Sequence, residues 1–253
     1  YEGALSDFRS DWQGTFQRKT NDEDPSRADV ESFTSALESS DDELLAALEP
    51  HLDLDHFLTF WAMEVLVGHA DGYARNTNNY YVYRNPIDGK FNFIPWGIDS
   101  ILLDFDLKLP WEDEPPPRNV WVEGVLARRL YDMPETRAMY ESKLRELLDE
   151  VWDEDAIAGE IDRMSALIEP HLMASEVDTV AEAVTKVERF VSEQRANLKS
   201  DLDALPEISR PLRDPWCIDA LGTVDATFDT TWNTLEGEAQ AGAGTIDAST
   251  TSS

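Results

Sequence analysis

Three side chains of this 253-residue chain have the types and spacing to do chemistry: Asp71, Asn76 and Asp99. Asp71 sits in a polar, turn-forming run, His69-Ala70-Asp71-Gly72-Tyr73-Ala74-Arg75-Asn76-Thr77-Asn78-Asn79. Asp99 closes a second run, Ile94-Pro95-Trp96-Gly97-Ile98-Asp99. A carboxylate beside an acceptor hydroxyl can orient it and take its proton. Asp and Asn supply the hard oxygens that hold Mg²⁺ against phosphates. Together these are the parts that phosphoryl transfer requires.

Such groups need elements that bring them together. Asp53 is placed to cap a helix, and Leu54, Phe57, Leu58, Trp61 and Val65 then repeat at the helical period, so a largely buried helix should run to about Gly68. Tyr80-Tyr81-Val82-Tyr83-Arg84 is aromatic and β-branched, Asn85-Pro86-Ile87-Asp88-Gly89 has turn chemistry, and Lys90 to Trp96 begins with polar and apolar residues alternating. A β-hairpin is expected there, returning the chain to Asp99 beside the Asp71 loop. Two helices are expected earlier, from Ser26 and over Asp41 to Glu49. Asp104 to about Pro117 reads as an acidic, proline-rich loop, and the chain is expected to be helical from Val120 to about Leu205, with breaks near Pro134, Asp153 and Pro170. The last helix carries an apolar stripe of Val184, Val187, Phe190, Val191, Leu198 and Leu202. The fold class is therefore α+β, mostly helical, with a central β-hairpin. Residues 206–235, which include Trp216, Phe228 and Trp232, read as the start of an appended β element, and 236–253 as a low-complexity linker or tail.

Composition removes several function classes. Lys+Arg number 21 against 52 Asp+Glu, for a net charge of -31, which repels nucleic acid and anionic lipid. A balance this acidic fits a salty or extracellular setting. No apolar run is long enough to span a bilayer. Cys217 is the single cysteine, so a disulfide framework and a cysteine-based zinc site are both excluded. His51, His56, His69 and His171 lack the spacing of a zinc protease, and there is no Gly-Lys-Ser/Thr phosphate loop or Gly-x-Ser-x-Gly elbow. The chain opens at Tyr1 without a basic-then-apolar leader and reads as a piece of a longer protein.

His-x-Asp-x-x-x-x-Asn is also the spacing of a protein-kinase catalytic loop. On spacing alone the pattern arises readily in an acidic chain, and Asp71, Gly72 and Asn76 could equally be turn residues. A calcium loop fits poorly, because Tyr73 and Arg75 stand where oxygen ligands belong. Arg75 is expected to pair at the surface, His69 to be structural, Pro95 and Trp96 to shape the turn, and Tyr80, Tyr81 and Tyr83 to occupy the two faces of a strand. Asp104 and Asp106 are weaker candidates for a metal cluster.

The ordered string from His69 to Asp99 resembles the core of the spore coat protein H (CotH) kinase family. The matching pieces are Asp71-Gly72-Tyr73, Asn76, Asn78-Asn79-Tyr80-Tyr81-Val82-Tyr83, Asp88-Gly89-Lys90 and Ile94-Pro95-Trp96-Gly97-Ile98-Asp99. Tyr1-Glu2-Gly3 with Asp7-Phe8, and the closing helix with Phe190 and Arg195, are similar too, so the resemblance covers 1–205. It implies an atypical protein-kinase-like catalytic lobe that uses ATP and Mg²⁺ to phosphorylate Ser or Thr hydroxyls of secreted, surface or spore coat proteins, outside the cell or in its envelope. It also implies that Asp71 is the catalytic carboxylate, Asp99 the principal metal ligand and Asn76 the second ligand, with Asn79 competing for that place. Many members carry Asp where this chain has Gly97. No lysine here has the setting of a phosphate-gripping strand lysine, not Lys19, Lys90 or Lys108, so the nucleotide lobe is expected before Tyr1, which makes this chain the catalytic and substrate half and can leave it inactive by itself. The alternatives are a catalytically silent coat or cell-surface binding protein on the same scaffold, and nucleotidyl transfer by the same residues.

Overall fold

A computed structural model describes residues 1–21, 23–103, 116–202 and 205–215, with the backbone of 240–241 and 244–245. The chain divides into two units, 1–214 and 215–253. Among the described residues the first unit is α+β, mostly helical, with one three-stranded antiparallel sheet. Of the second unit, two short antiparallel strands are described, Gln240–Ala241 and Gly244–Thr245.

In chain order the first unit runs β1 (Glu2–Gly3), α1 (Ala28–Leu37), α2 (Leu44–Leu48), α3 (Leu54–Leu66), α4 (Tyr73–Asn76), β2 (Tyr80–Arg84), β3 (Phe91–Pro95), α5 (Val125–Asp132), α6 (Pro134–Glu150), α7 (Glu154–Ile168) and α8 (Val177–Leu202). The sheet order is β1-β2-β3, and the hairpin register sets Tyr80 opposite Pro95 and Arg84 opposite Phe91. Period-2 alternation sorts its side chains. Tyr80, Val82, Phe91 and Phe93 enter the core, while Tyr83 and Ile94 stay exposed.

Helix α3 is the spine of the unit. Asp53 accepts the His56 N–H at 3.1 Å to start it. Phe57, Leu58, Trp61, Val65 and Leu66 are all buried. Trp61 stacks on Tyr140 of α6 with ring centroids 3.9 Å apart, and its indole N–H reaches the Trp121 carbonyl at 2.8 Å. Burying a large apolar side chain contributes about 1.5–3 kcal/mol, so this aromatic seam between α3 and α6 is a major source of stability. Gly68, at φ 68°, ends the helix with Gly68 N–H on Val65 O and His69 N–H on Glu64 O, the paired bonds of a Schellman motif. From α8, Gln194 donates to the Leu66 carbonyl at 2.8 Å, satisfying another acceptor at the same end. Arg195 bonds the Leu148 carbonyl and the Glu154 carboxylate, fastening α8 to the joint between α6 and α7.

Residues 120–124, expected to be helical, are not: α5 begins only at Val125. Its first two N–H groups explain the boundary. Val125 N–H is held by the Asp7 carboxylate at 3.0–3.1 Å and Leu126 N–H by the Tyr73 hydroxyl at 3.0 Å. Residues 206–214, the first part of the 206–235 stretch read from sequence as an appended element, belong to the first unit. Residues 104–115 of the acidic loop, with Asp104, Asp106 and Lys108, and also Trp216, Cys217, Phe228 and Trp232, lie outside the described residues.

Asp7 is fully buried, and burial pushes its carboxyl up to about 7 against the opposing pull of the Val125 and Phe8 N–H groups. A raised carboxyl binds its proton more tightly in the folded chain. Its contribution is complete below the ordinary carboxyl pKa and is lost as pH rises through about 7. Wild-type urea midpoints should therefore fall between pH 5 and pH 8, and Asp7→Asn should show a smaller fall. Equal slopes in the two proteins would contradict this assignment.

Candidate functional site

The site is the loop between α3 and β2 together with the segment that follows β3. Glu64, buried in the last turn of α3, anchors the loop from below. Its two oxygens accept the Tyr73 and Ala74 N–H groups at 2.8 Å each, satisfying the open start of α4. The His69 Nδ1 lies 3.6 Å from the same carboxylate. Burial works to lower the His69 pKa, but the hydrogen bond and charge of Glu64, the Gly97 carbonyl and the nearby Asp71 together raise it. Gly72 has no side chain where one cannot fit: a Cβ there would land on Glu64 Oε1 and lie 2.7 Å from His69 Nδ1.

Above this anchor, Asp71 is surrounded by three carboxamides. Asn76 Nδ2 donates to Oδ1, Asn78 Nδ2 to both oxygens at 3.1 and 3.2 Å, and Asn79 Nδ2 to Oδ2 at 2.7 Å. Every one of these partners is a donor, matched to the acceptor oxygens of the carboxyl group. Thr77 and Asn79 adopt left-handed backbone conformations, φ 52° and 47°, and these fold the Asn-rich stretch back over Asp71. Asn tolerates that region through local hydrogen bonds.

The hairpin returns the chain to this loop. Trp96 N–H bonds the Asn79 carbonyl at 3.0 Å, Asn79 Nδ2 approaches the Gly97 carbonyl at 3.3 Å, and Ala70 N–H bonds the Ser100 carbonyl at 3.2 Å. Asp99 therefore lies on a segment stitched to the Asp71 loop on both sides. Its carboxylate is exposed and takes no hydrogen bond from a described residue. Among the described residues no group of three or more His, Cys, Asp or Glu side chains is close enough to hold a metal ion. Gly97, at φ 54°, leaves room for Asn79: a Cβ there would lie 2.7 Å from the Asn79 carboxamide carbon. A side chain at this position requires Asn79 to sit elsewhere.

The sequence candidates thus fall into two groups. Asp71, Asn76 and Asn79 are in direct contact, and Asp99 stands on the neighbouring segment without touching them through a hydrogen bond. The two asparagines differ in what their oxygens do. Asn76 Oδ1 accepts from Arg213 at 3.1 Å, whereas Asn79 Oδ1 takes no hydrogen bond from a described residue. Arg75, expected at the surface, is buried with its guanidinium 5.3 Å from the Trp121 ring centroid. The Trp121 ring lies within cation–π range of the guanidinium. His69 is buried, as the structural reading requires.

Glu64, Asp7 and Arg213 carry no role in the sequence reading. Glu64 had a signal, since it falls on the same α3 face as Phe57 and Trp61, where a charge needs a reason. Asp7 and Arg213 meet the loop only through the tertiary fold.

A family model described as CotH kinase protein matches residues 4–198. The chain is also similar to two curated proteins of Rhizopus delemar (strain RA 99-880 / ATCC MYA-4621 / FGSC 9543 / NRRL 43880). Invasin CotH7 is 25% identical over 145 residues, covering 54% of this chain and 24% of that protein. Invasin CotH2 is 25% identical over 142 residues, covering 53% and 23% respectively. The chain spans about a quarter of the length of each of these relatives.

Proposed function

The chain belongs to the CotH kinase protein family, and from that premise we propose that its first unit is the catalytic lobe of an atypical, ATP- and Mg²⁺-dependent protein kinase. The acceptors are Ser or Thr hydroxyls of secreted or surface proteins, and the setting is extracellular or the cell envelope. The observation that carries this reading is the Asp71 loop itself. A carboxylate is held in place by three amide donors over a buried Glu64 anchor, with a second, uncommitted carboxylate at Asp99 on the segment stitched beside it. A loop that only turned the chain would need neither.

Asp71 is the catalytic carboxylate. Its four amide contacts fill its acceptor sites, so an incoming hydroxyl must displace one. The Asn78 contact, shared at 3.1 and 3.2 Å between both oxygens, is the weakest held and the one to yield. The hydroxyl then donates to Asp71, which orients it and takes its proton as the oxygen bonds to the γ-phosphorus of ATP and the bond from that phosphorus to the bridging oxygen breaks, releasing ADP. Asn76 and Asn79 keep the carboxylate aimed during the exchange.

The donor set fits Mg²⁺, which is commonly held by one or two carboxylates plus substrate phosphates and water. Asp99 is the principal ligand. Of the two asparagines, Asn79 is better placed than Asn76 as the second, because its oxygen is uncommitted. The ion supplies charge neutralisation on the phosphates when bound.

Incubation of the full-length protein with ATP, Mg²⁺ and a Ser/Thr-rich acceptor protein tests the reading. A phosphoryl adduct on the acceptor that EDTA prevents is the expected product. A nucleotidyl adduct would replace the kinase assignment with nucleotidyl transfer by the same residues. No adduct of either kind would leave a silent surface scaffold.

A further inference from the structure

Beyond the residues that the family model matches, the chain leaves α8 and runs back across the first unit. Segment 205–214 is pinned at several points. The Tyr131 hydroxyl donates to the Pro206 carbonyl at 2.6 Å, Arg128 to the Arg210 carbonyl at 2.7 Å, and Arg210 pairs with the buried Glu123. Arg9 donates to the Arg213 carbonyl at 2.6 Å. The Arg213 guanidinium lies 5.1 Å from the Trp12 ring centroid and points into the Asp71 loop. There Nη1 donates to Asn76 Oδ1 at 3.1 Å, and Nη2 donates to the Asn76 carbonyl at 3.0 Å and to Thr77 Oγ1 at 2.8 Å.

The two ends of a carboxamide are nearly the same shape, and only their partners fix which way it faces. Arginine can only donate, so the Asn76 oxygen must face Arg213. Asp71, as a carboxylate, can only accept, so the Asn76 amide nitrogen must face Asp71. Neither contact is secure alone. With Arg213 gone, Asp71 still draws the amide nitrogen, but nothing holds the oxygen end or the Asn76 carbonyl, and the side chain can swing out of line with the carboxylate. The guanidinium also bonds the Asn76 carbonyl and the Thr77 hydroxyl, at the left-handed turn where the loop reverses over Asp71.

We propose that Arg213 is a positioning residue of this site, which aims Asp71 by locking the Asn76 carboxamide and the turn at Thr77. The geometric part of this inference is independent of the reaction assigned above, and its kinetic part rests on that reading. While Arg213 is seated it also withholds the Asn76 oxygen from any cation.

The test compares wild type, Arg213→Ala and Arg213→Lys in the full chain by two readouts. The first is hydrogen exchange of the Asn76 side-chain amide by NMR. It should quicken at least tenfold in Arg213→Ala and less in Arg213→Lys, while backbone amides of α3 keep their protection. The second is steady-state phosphotransfer. Arg213→Ala should lower kcat roughly 10–100-fold with KM for ATP within about twofold, as expected when a catalytic group is misaimed and nucleotide binding is spared. Arg213→Lys should recover part of kcat. If Arg213→Ala does not fold, seen as loss of α3 protection, the Lys variant decides by the same readouts. Unchanged Asn76 exchange, or a loss confined to KM, overturns the proposal. An inactive wild type would refute the kinase reading alone, and the exchange measurement would still decide the role of Arg213.

Discussion

Asp71→Asn should lower phosphotransfer by about a thousandfold while the chain stays folded. The estimate follows from the role assigned to the group. A positioned general base contributes about 10²–10⁴ in rate. The substitution keeps the size of the side chain and removes its charge and half its acceptor capacity. Three amide donors, from Asn76, Asn78 and Asn79, would then face one acceptor oxygen and one competing NH2 group. The loss to stability should be small, about 1–2 kcal/mol, because the residue is partly exposed and water can replace the missing acceptor. Initial rates with ATP and Mg²⁺, read beside a thermal melt, check both halves. A rate within tenfold of wild type at an unchanged melting temperature would remove Asp71 from the chemistry.

Gly72→Ala should do the greatest harm to the fold for the fewest atoms added. The new methyl would collide with Glu64 Oε1 and approach His69 Nδ1 to 2.7 Å, and Glu64 is held where it stands by the Tyr73 and Ala74 N–H groups. Either Glu64 gives up the Tyr73 and Ala74 N–H groups or the loop lifts off α3. Hydrogen bonds to a charged group contribute about 1.5–3 kcal/mol each, and overpacking costs about 1–3 kcal/mol more. A total near 3 kcal/mol or above corresponds to a fall of roughly 6–12 °C in Tm for a chain of this size. Activity should fall with it, since the loop carries Asp71. A variant that melts like wild type would show that Glu64 does not anchor the loop. By contrast, Gly14, where a Cβ would meet nothing within 4 Å, should accept Ala with a change below about 1 kcal/mol.

The parts of this site that rest on local pattern were legible in the sequence. The apolar period of α3, its Asp53 cap and its end at Gly68 came from spacing and residue type, as did the hairpin with its turn at 85–89. Those elements alone required the Asp99 segment to return beside the Asp71 loop. What the sequence could not show is the support beneath and behind that loop. Glu64 sits in an apolar helix and meets amides nine and ten residues further on, a partnership set by the turn at Gly72. Asp7 meets α5 across 118 residues, and Arg213 meets Asn76 across 137. No periodicity links such partners, because each contact is a product of the fold rather than of a repeat. Arg75 was misread for a related reason. Charge suggested solvent, but the Trp121 face covers it, and that face becomes visible only when 120–124 is seen as extended chain packed over the loop.

The central claim is that the Asp71 loop and the Asp99 segment together receive a magnesium nucleotide. Its most direct test is a thermal shift of this unit within the full-length protein with ATP and Mg²⁺, with ATP and EDTA, and again with Asp99→Ala. At a hundredfold excess over Kd a ligand stabilises by about 2.7 kcal/mol, which at about 2–4 °C per kcal/mol is a rise of roughly 5–10 °C in Tm. The account predicts that rise for wild type with ATP and Mg²⁺ and its loss both with EDTA and in Asp99→Ala. An equal shift in Asp99→Ala, or none in wild type at any nucleotide concentration, would contradict it.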